Sequence, residues 1–172
     1  TPSGRTTGIL RSAAGDSSCR PFRDPRELST EECKGIIDEL ERMPRTVDIG
    51  THVPHGAVRA YVLGDREQPG AIPTTEDIAE MSRIVEEGVR AGALGFSTSR
   101  TVLHRSIDGE LVPGTTATAE ELIEIGRGMG RVGYGVFEMA SDLMREWDEF
   151  GWMGKLSRET GLPVTFAALQ SI

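Results

Sequence analysis

Apolar positions in this chain fall into three helical stripes, each followed by a glycine and then a short apolar run. Ile78, Met81, Ile84, Val85, Gly88 and Val89 recur at three- and four-residue spacing, which puts one apolar face on a helix. Thr74 and Asp77 stand ahead of it as an approximate capping box, and Gly92 ends it near Ala91. Leu122, Ile125, Met129 and Val132 form the second stripe, opened by Thr118 and Glu121 as a full capping box and closed by Gly133. Met144, Trp147, Phe150, Met153 and Leu156 form the third, closed by Gly161. The runs behind them, Ala93–Thr98, Gly135–Met139 and Leu162–Leu169, read as buried strands.

Upstream the pattern is thinner. Ile36, Ile37, Leu40 and Met43 suggest a helix from Thr30 that Pro44 stops, and the β-branched run Thr46–Ile49 reads as a strand. A short helix over His55–Leu63 then closes at Gly64. Residues 1–28 hold few apolar anchors, among them Ile9, Leu10 and Phe22, so they read as an irregular segment ahead of one domain over 29–172.

Strand and helix alternating at this length imply an α/β fold with a parallel sheet. A complete (β/α)8 barrel takes about 250 residues, so about four strands make a partial TIM barrel, roughly half of one. The rival is an open doubly wound sheet, which lacks support because no Gly-x-Gly-x-x-Gly turn joins a strand to a helix. The chain begins with Thr and ends on a strand-like run with no covering helix. The expectation is therefore an internal fragment of a longer chain.

Charge narrows the function classes. Acidic residues outnumber basic ones by 27 to 19, a formal charge of −8, and the basic residues are scattered, which disfavours nucleic acid and anionic membrane surfaces as partners. Cys19 and Cys33 make no Cys-x-x-Cys pair, which favours a reducing compartment. No apolar run approaches the roughly 20 residues of a membrane span, and no signal layout opens the chain. The expectation is a soluble cytoplasmic chain.

Candidate chemistry gathers at predicted strand exits, where barrel enzymes place catalytic side chains. His52 and His55 flank Pro54, and since Pro54 disfavours a helix through His52, the preferred reading is one histidine ordering the loop and one solvated, not a shared metal. Ser97 and Ser99 point one way on an extended strand, and with Arg100 they suit recognition of a carboxylate; a hydroxyl cluster capping the loop is the equal alternative. His104 reads as a surface residue. Glu138 interrupts an apolar strand, and a carboxylate there must be paired, metal-bound or at the barrel mouth, which makes it the candidate catalytic residue. Asp142 reads as the N-cap of the next helix, and Trp147 and Trp152 as core.

Several segments together resemble one family. Pro54-His55-Gly56-Ala57-Val58-Arg59 with Tyr61-Val62-Leu63-Gly64, then Gly92-Ala93-Leu94-Gly95-Phe96-Ser97-Thr98-Ser99, Val112-Pro113-Gly114 and Thr118-Ala119-Glu120-Glu121-Leu122 occur in the order and spacing of the N-acyl-D-amino-acid deacylases (D-aminoacylases) of the amidohydrolase superfamily. Thinner likeness continues through Gly133–Phe137 and Glu159–Val164. The resemblance implies a (β/α)-barrel amidohydrolase that uses zinc to hydrolyse the amide of a small N-acyl-D-amino acid, with His55 and Arg59 joining Ser97, Ser99 and Arg100 in substrate binding. It also implies ligand histidines at the positions that here hold Ala140 and Ala168, and neither alanine binds a metal. Lys34 and Lys155, the only lysines, fall in predicted helices, so no carboxylated lysine is placed on a strand. Two readings follow: a deacylase whose zinc ligands lie largely outside this fragment, or a barrel that has lost catalysis and serves binding or assembly.

Overall fold

The computed structural model describes residues 49–142 and 148–167, with Arg42, Pro44, Thr46 and Val47 ahead of them. The helix expected from Thr30, the boundary between 1–28 and 29–172, both cysteines, Met144, Trp147 and Ala168 lie outside the described residues. Chain order runs β1 (His52–Pro54), α1 (His55–Leu63), a 3-10 turn (Gly64–Arg66), α2 (Thr75–Arg90), β2 (Gly95–Arg100), α3 (Ala119–Val132), β3 (Val136–Ser141), α4 (Asp148–Thr160) and β4 (Val164–Ala167). The four strands pair in the order β1-β2-β3-β4, all parallel. A sheet whose order follows the chain without reversal is the arrangement of a barrel arc, not of a doubly wound sheet, which reverses at a switch point.

The helices form where the apolar spacing put them, and their caps explain where they start. Thr74 Oγ1 accepts from the Asp77 amide at 3.2 Å, and the Asp77 carboxylate accepts from the Thr74 amide at 2.9 Å, so two otherwise orphaned donors at the start of α2 are satisfied. Arg66 adds a two-pronged contact to Asp77 at 2.7 and 2.8 Å. These bonds, Arg66 foremost, hold the Asp77 carboxyl far below its ordinary value. Met81, Val85 and Val89 of α2, Leu122, Ile125 and Met129 of α3 and Leu156 of α4 are fully buried against Phe96 and Phe137 of the sheet. Burial of each such side chain is worth about 1.5–3 kcal/mol. The rings of His55, Phe96, Phe137 and Trp152 follow one another at centroid separations of 5.3, 5.1 and 6.0 Å, linking α1 to α4 across the sheet.

Several expectations shift. Among the described residues the first strand is His52–Pro54 instead of the expected Thr46–Ile49: Val47 and Ile49 are exposed, and the pairing begins later, with the Leu94 amide donating to Thr51 O at 2.8 Å. The second strand starts at Gly95 instead of Ala93. Gly95 has φ 155°, and a Cβ there would lie 2.0 Å from Val136 O, so β2 and β3 approach more closely at this point than any other residue allows. Phe150 of the third stripe is half exposed and meets Phe166 edge-on at 5.5 Å, while Trp152 takes the core position. The second capping box is only half formed: Thr118 accepts from the Glu121 amide at 3.2 Å, but the Glu121 side chain goes elsewhere. Among the described residues no helix is long and apolar enough to cross a membrane.

Candidate functional site

Strand alternation divides the polar residues between two faces. Phe96, Thr98, Phe137 and Met139 point at the helices and are buried. The opposite face is open, and the register arranges it in rows: His52, Gly95 and Val136; then Pro54, Ser97, Glu138 and Thr165; then Ser99, Ala140 and Ala167 at the strand exits.

On the open face the His52 Nδ1 and Glu138 Oε2 lie 2.7 Å apart. Their side chains are 23% and 49% exposed, so this is a solvent-reachable imidazole–carboxylate pair. The contact spans two strands, from the first row of β1 to the second row of β3. It is possible because the residue between them on β2 is Gly95, which raises no side chain from the floor. Of the alternatives for a carboxylate on this strand, Glu138 is thus the paired one, half exposed, with His52 as its partner. Glu138 faces the side of the sheet opposite the described helices, which pack against Phe96 and Phe137. It sits one row below the strand exits, beside Ser97.

Ser99, one row higher, meets a histidine as well. Its Oγ lies 2.5 Å from His104 Nδ1. The segment that carries His104 is braced at both ends. Asp142 accepts from the Thr101 hydroxyl and from the Val102 amide, the latter at 3.0 Å. Further on, Arg105 bridges Leu111 antiparallel, and the Val112 amide donates to His104 O at 3.4 Å. Asp142 therefore tethers the loop after β2, a role the N-cap reading did not include.

The remaining predicted residues belong to the helix side. Arg100 extends away from Ser97 and Ser99, donating from Nε to Glu149 at 2.9 Å and from Nη1 to Ala117 O. His55 and Arg59 are 1% exposed. His55 Nδ1 contacts Thr98 Oγ1 at 2.8 Å and Nε2 contacts Glu121 at 3.0 Å. Arg59 donates to both Glu121 oxygens at 2.6 Å, to Glu67 at 2.9 Å and to Ala71 O. Burial alone pushes the Glu121 carboxyl up, but the hydrogen bonds and charges of His55 and Arg59 outweigh it and hold it below its ordinary value. Among the described residues no fully buried side-chain nitrogen or oxygen lacks a partner. The structure thus brings Ser97, Ser99 and Glu138 onto one surface and puts His55, Arg59 and Arg100 behind it.

Three features escaped the sequence reading. Glu121 was hidden by its place in a capping box, which explains a glutamate without any tertiary partner. The His52–Glu138 and Ser99–His104 contacts join residues whose meeting depends on strand register and on the path of a loop. The only hint was spacing: His104 follows the strand exit closely enough to fold back on it.

The zinc implied by the resemblance needs three or four converging ligands. Among the described residues no three His, Cys, Asp or Glu side chains form such a group. His52 and Glu138 give one atom each to one another, and Ala140 contributes no donor. The described residues do not by themselves fit a zinc site.

Comparison with known proteins returns partial likeness. The chain is 32% identical over 97 residues to a D-aminoacylase of Alcaligenes xylosoxydans xylosoxydans, covering 56% of this chain and 18% of that protein. An uncharacterised protein of Mycobacterium tuberculosis is 29% identical over 121 residues, 64% of this chain and 19% of its own length. A stretch of 21 residues is 86% identical to the mycofactocin maturase MftC of Mycolicibacterium smegmatis, 12% of this chain and 5% of that one. The chain thus spans about a fifth of the length of the curated D-aminoacylase and mycobacterial relatives it matches. No family model matches it, and no solved structure does so significantly.

Proposed function

We propose that this chain forms an arc of an amidohydrolase-like barrel that hydrolyses the amide of small N-acyl amino acids, with the D-amino acid series as the substrate class. The observation that carries the proposal is the His52–Glu138 pair, 2.7 Å apart on the open face of a parallel sheet, in a chain partly similar to a D-aminoacylase. Amide hydrolysis needs a base to take a proton from the attacking water and an acid to give one to the leaving amine. An imidazole hydrogen-bonded to a carboxylate does both in turn, because the carboxylate orients the ring and stabilises its protonated form. Ser97, beside Glu138 in the same row, supplies a hydroxyl to the substrate's polar groups. Arg100, His55 and Arg59 support this surface from behind and have no part in the proposed contact with substrate.

No step is routed through a metal. Zinc held by ligands outside the described residues remains an expectation of the resemblance, checked by metal analysis of the full-length protein.

The test is turnover by full-length protein on matched N-acyl-D- and N-acyl-L-amino acids, with Glu138→Gln as the variant. The expected result is preference for the D series and a loss of roughly a hundredfold or more in kcat for the variant, with a melting temperature lowered by no more than about 5 °C. An active Glu138→Gln protein with an unaltered pH profile would remove the pair from catalysis. A second reading, a barrel that binds without catalysis, is favoured by Ala140 at a position where the resemblance implies a ligand histidine. It predicts no turnover on either series, with binding of the same compounds still measurable by calorimetry.

A further inference from the structure

We propose that Ser99 and His104 form a carboxylate-binding subsite, which holds the free carboxylate of an N-acyl amino acid while its amide lies at His52 and Glu138. The inference rests on the hydrolase reading of the open face and leaves its water attack and proton transfers as they stand. It adds which end of the substrate is gripped, and by which groups.

Charge is the first ground. A carboxylate is held best by donors that are themselves cationic, and the chain as a whole carries −8. Arg100 is turned to the helix side, onto Glu149 and Ala117 O. Arg105, in the loop after β2, donates to Gly109 O at 2.7 Å. His104 is exposed and is bonded through Nδ1 to Ser99 Oγ at 2.5 Å, so its Nε2 faces solvent without a hydrogen bond among the described residues. The structure thus sets His104 beside Ser99 where the sequence suggested Arg100.

Donor count is the second. With the ring protonated, Nδ1–H donates to Ser99 Oγ, and both Nε2–H and the serine hydroxyl are left to donate to one carboxylate. With the ring neutral and its proton on Nε2, Nδ1 accepts from Ser99 and Nε2–H still donates.

Span is the third. Glu138 is level with Ser97 on the neighbouring strand, and Ser99 lies two residues further along, a diagonal of about 8 Å between backbones. The amide carbon and carboxylate carbon of an N-acyl amino acid are about 3–4 Å apart, and a hydrogen bond of roughly 3 Å at each end lets one amino acid bridge the two positions. Ser97, only about 5 Å from Glu138 across the strands, is too near the amide for that role. His104 is also held in place: the Arg105–Leu111 bridge, the Val112 amide on His104 O and the Asp142 tether at Thr101 and Val102 brace its backbone from both sides. A braced donor loses little freedom on binding.

The experiment measures acetate release by full-length protein from N-acetyl-D-leucine and from N-acetyl-D-leucinamide, which lacks the carboxylate. The parent is expected to favour the acid in kcat/KM by roughly tenfold or more. Ser99→Ala and His104→Ala should each lower that ratio, through KM for the acid and not through kcat, and the double variant should bring it near one. Arg105→Gln should keep it, and melting curves check that each variant is folded. A folded double variant with the parent's ratio overturns the subsite, and so does loss of the ratio in Arg105→Gln. Calorimetry with the same two compounds separates this inference from the hydrolase reading. Acid-selective binding that vanishes in the double variant, without turnover, keeps the subsite and removes catalysis. Turnover with no preference for the acid keeps catalysis and removes the subsite, and neither binding nor turnover removes both.

Discussion

His55 and His52 lie three residues apart in the chain and each meets a glutamate, yet the two pairs are built for different ends. His55 and Glu121 sit on the helix side, 1% and 0% exposed in their side chains, with Thr98 and Arg59 completing the cluster. His52 and Glu138 sit on the open side with half of the carboxylate in water. Low exposure makes the first pair expensive to disturb, since any group left alone there has no water to replace its partner. Exposure makes the second cheap to keep and free to exchange protons with a bound molecule. The contrast separates a structural charge cluster from a candidate site more sharply than residue type does.

The largest expected effect tests the structural half. Glu121→Gln preserves shape but strips the charge that faces Arg59 and His55, and should cost about 3 kcal/mol or more, read from urea unfolding. A loss below about 1 kcal/mol would mean that the cluster stores little stability and that the contrast is overstated.

Next is Gly95→Ala. Its Cβ would overlap Val136 O at 2.0 Å in a backbone conformation of φ 155°, so β2 and β3 must separate, at a cost of about 3 kcal/mol. The same displacement should disturb the His52–Glu138 contact that crosses this glycine. Wild-type stability in the variant would refute the close approach.

Acid titration comes third. Glu121 and Asp77 both lie below their ordinary values of 4.5 and 3.8, so the folded state binds their protons less readily than the unfolded state. Their contribution is complete above those values and is lost as pH falls below them through the folded values. Melting temperature should therefore fall as pH drops below about 4.5, and Glu121→Gln should lose less over that range than the parent. Parallel curves for the two proteins would show that Glu121 carries no such linkage.

The smallest effect is on the stability of the open face. Glu138→Gln should change unfolding free energy by about 1 kcal/mol or less, because a half-exposed pair contributes little. A loss comparable to that of Glu121→Gln would make His52–Glu138 a structural pair and erase the comparison.

Sequence alone determined the helices among the described residues and the class of fold. Stripes such as Met81, Val85 and Val89 record a helix face directly, and Thr74 with Asp77 marks a start, because helix spacing and capping are local properties. The repeat of helix, glycine and apolar run was enough to imply parallel strands, and the segment likeness to the deacylases was legible for the same reason, as order and spacing. Tertiary structure decided what local pattern cannot hold. Thr46–Ile49 has strand composition, yet its Val47 and Ile49 are exposed, while His52–Pro54 pairs with β2. Glu121 fits a capping box by sequence and leaves it for Arg59 and His55. Glu138 reads as buried in an apolar run, but alternation turns it to the uncovered face, toward a histidine 86 residues away in the chain. A hydrogen bond across strands depends on register and on which face the helices cover, and both are properties of the assembled sheet.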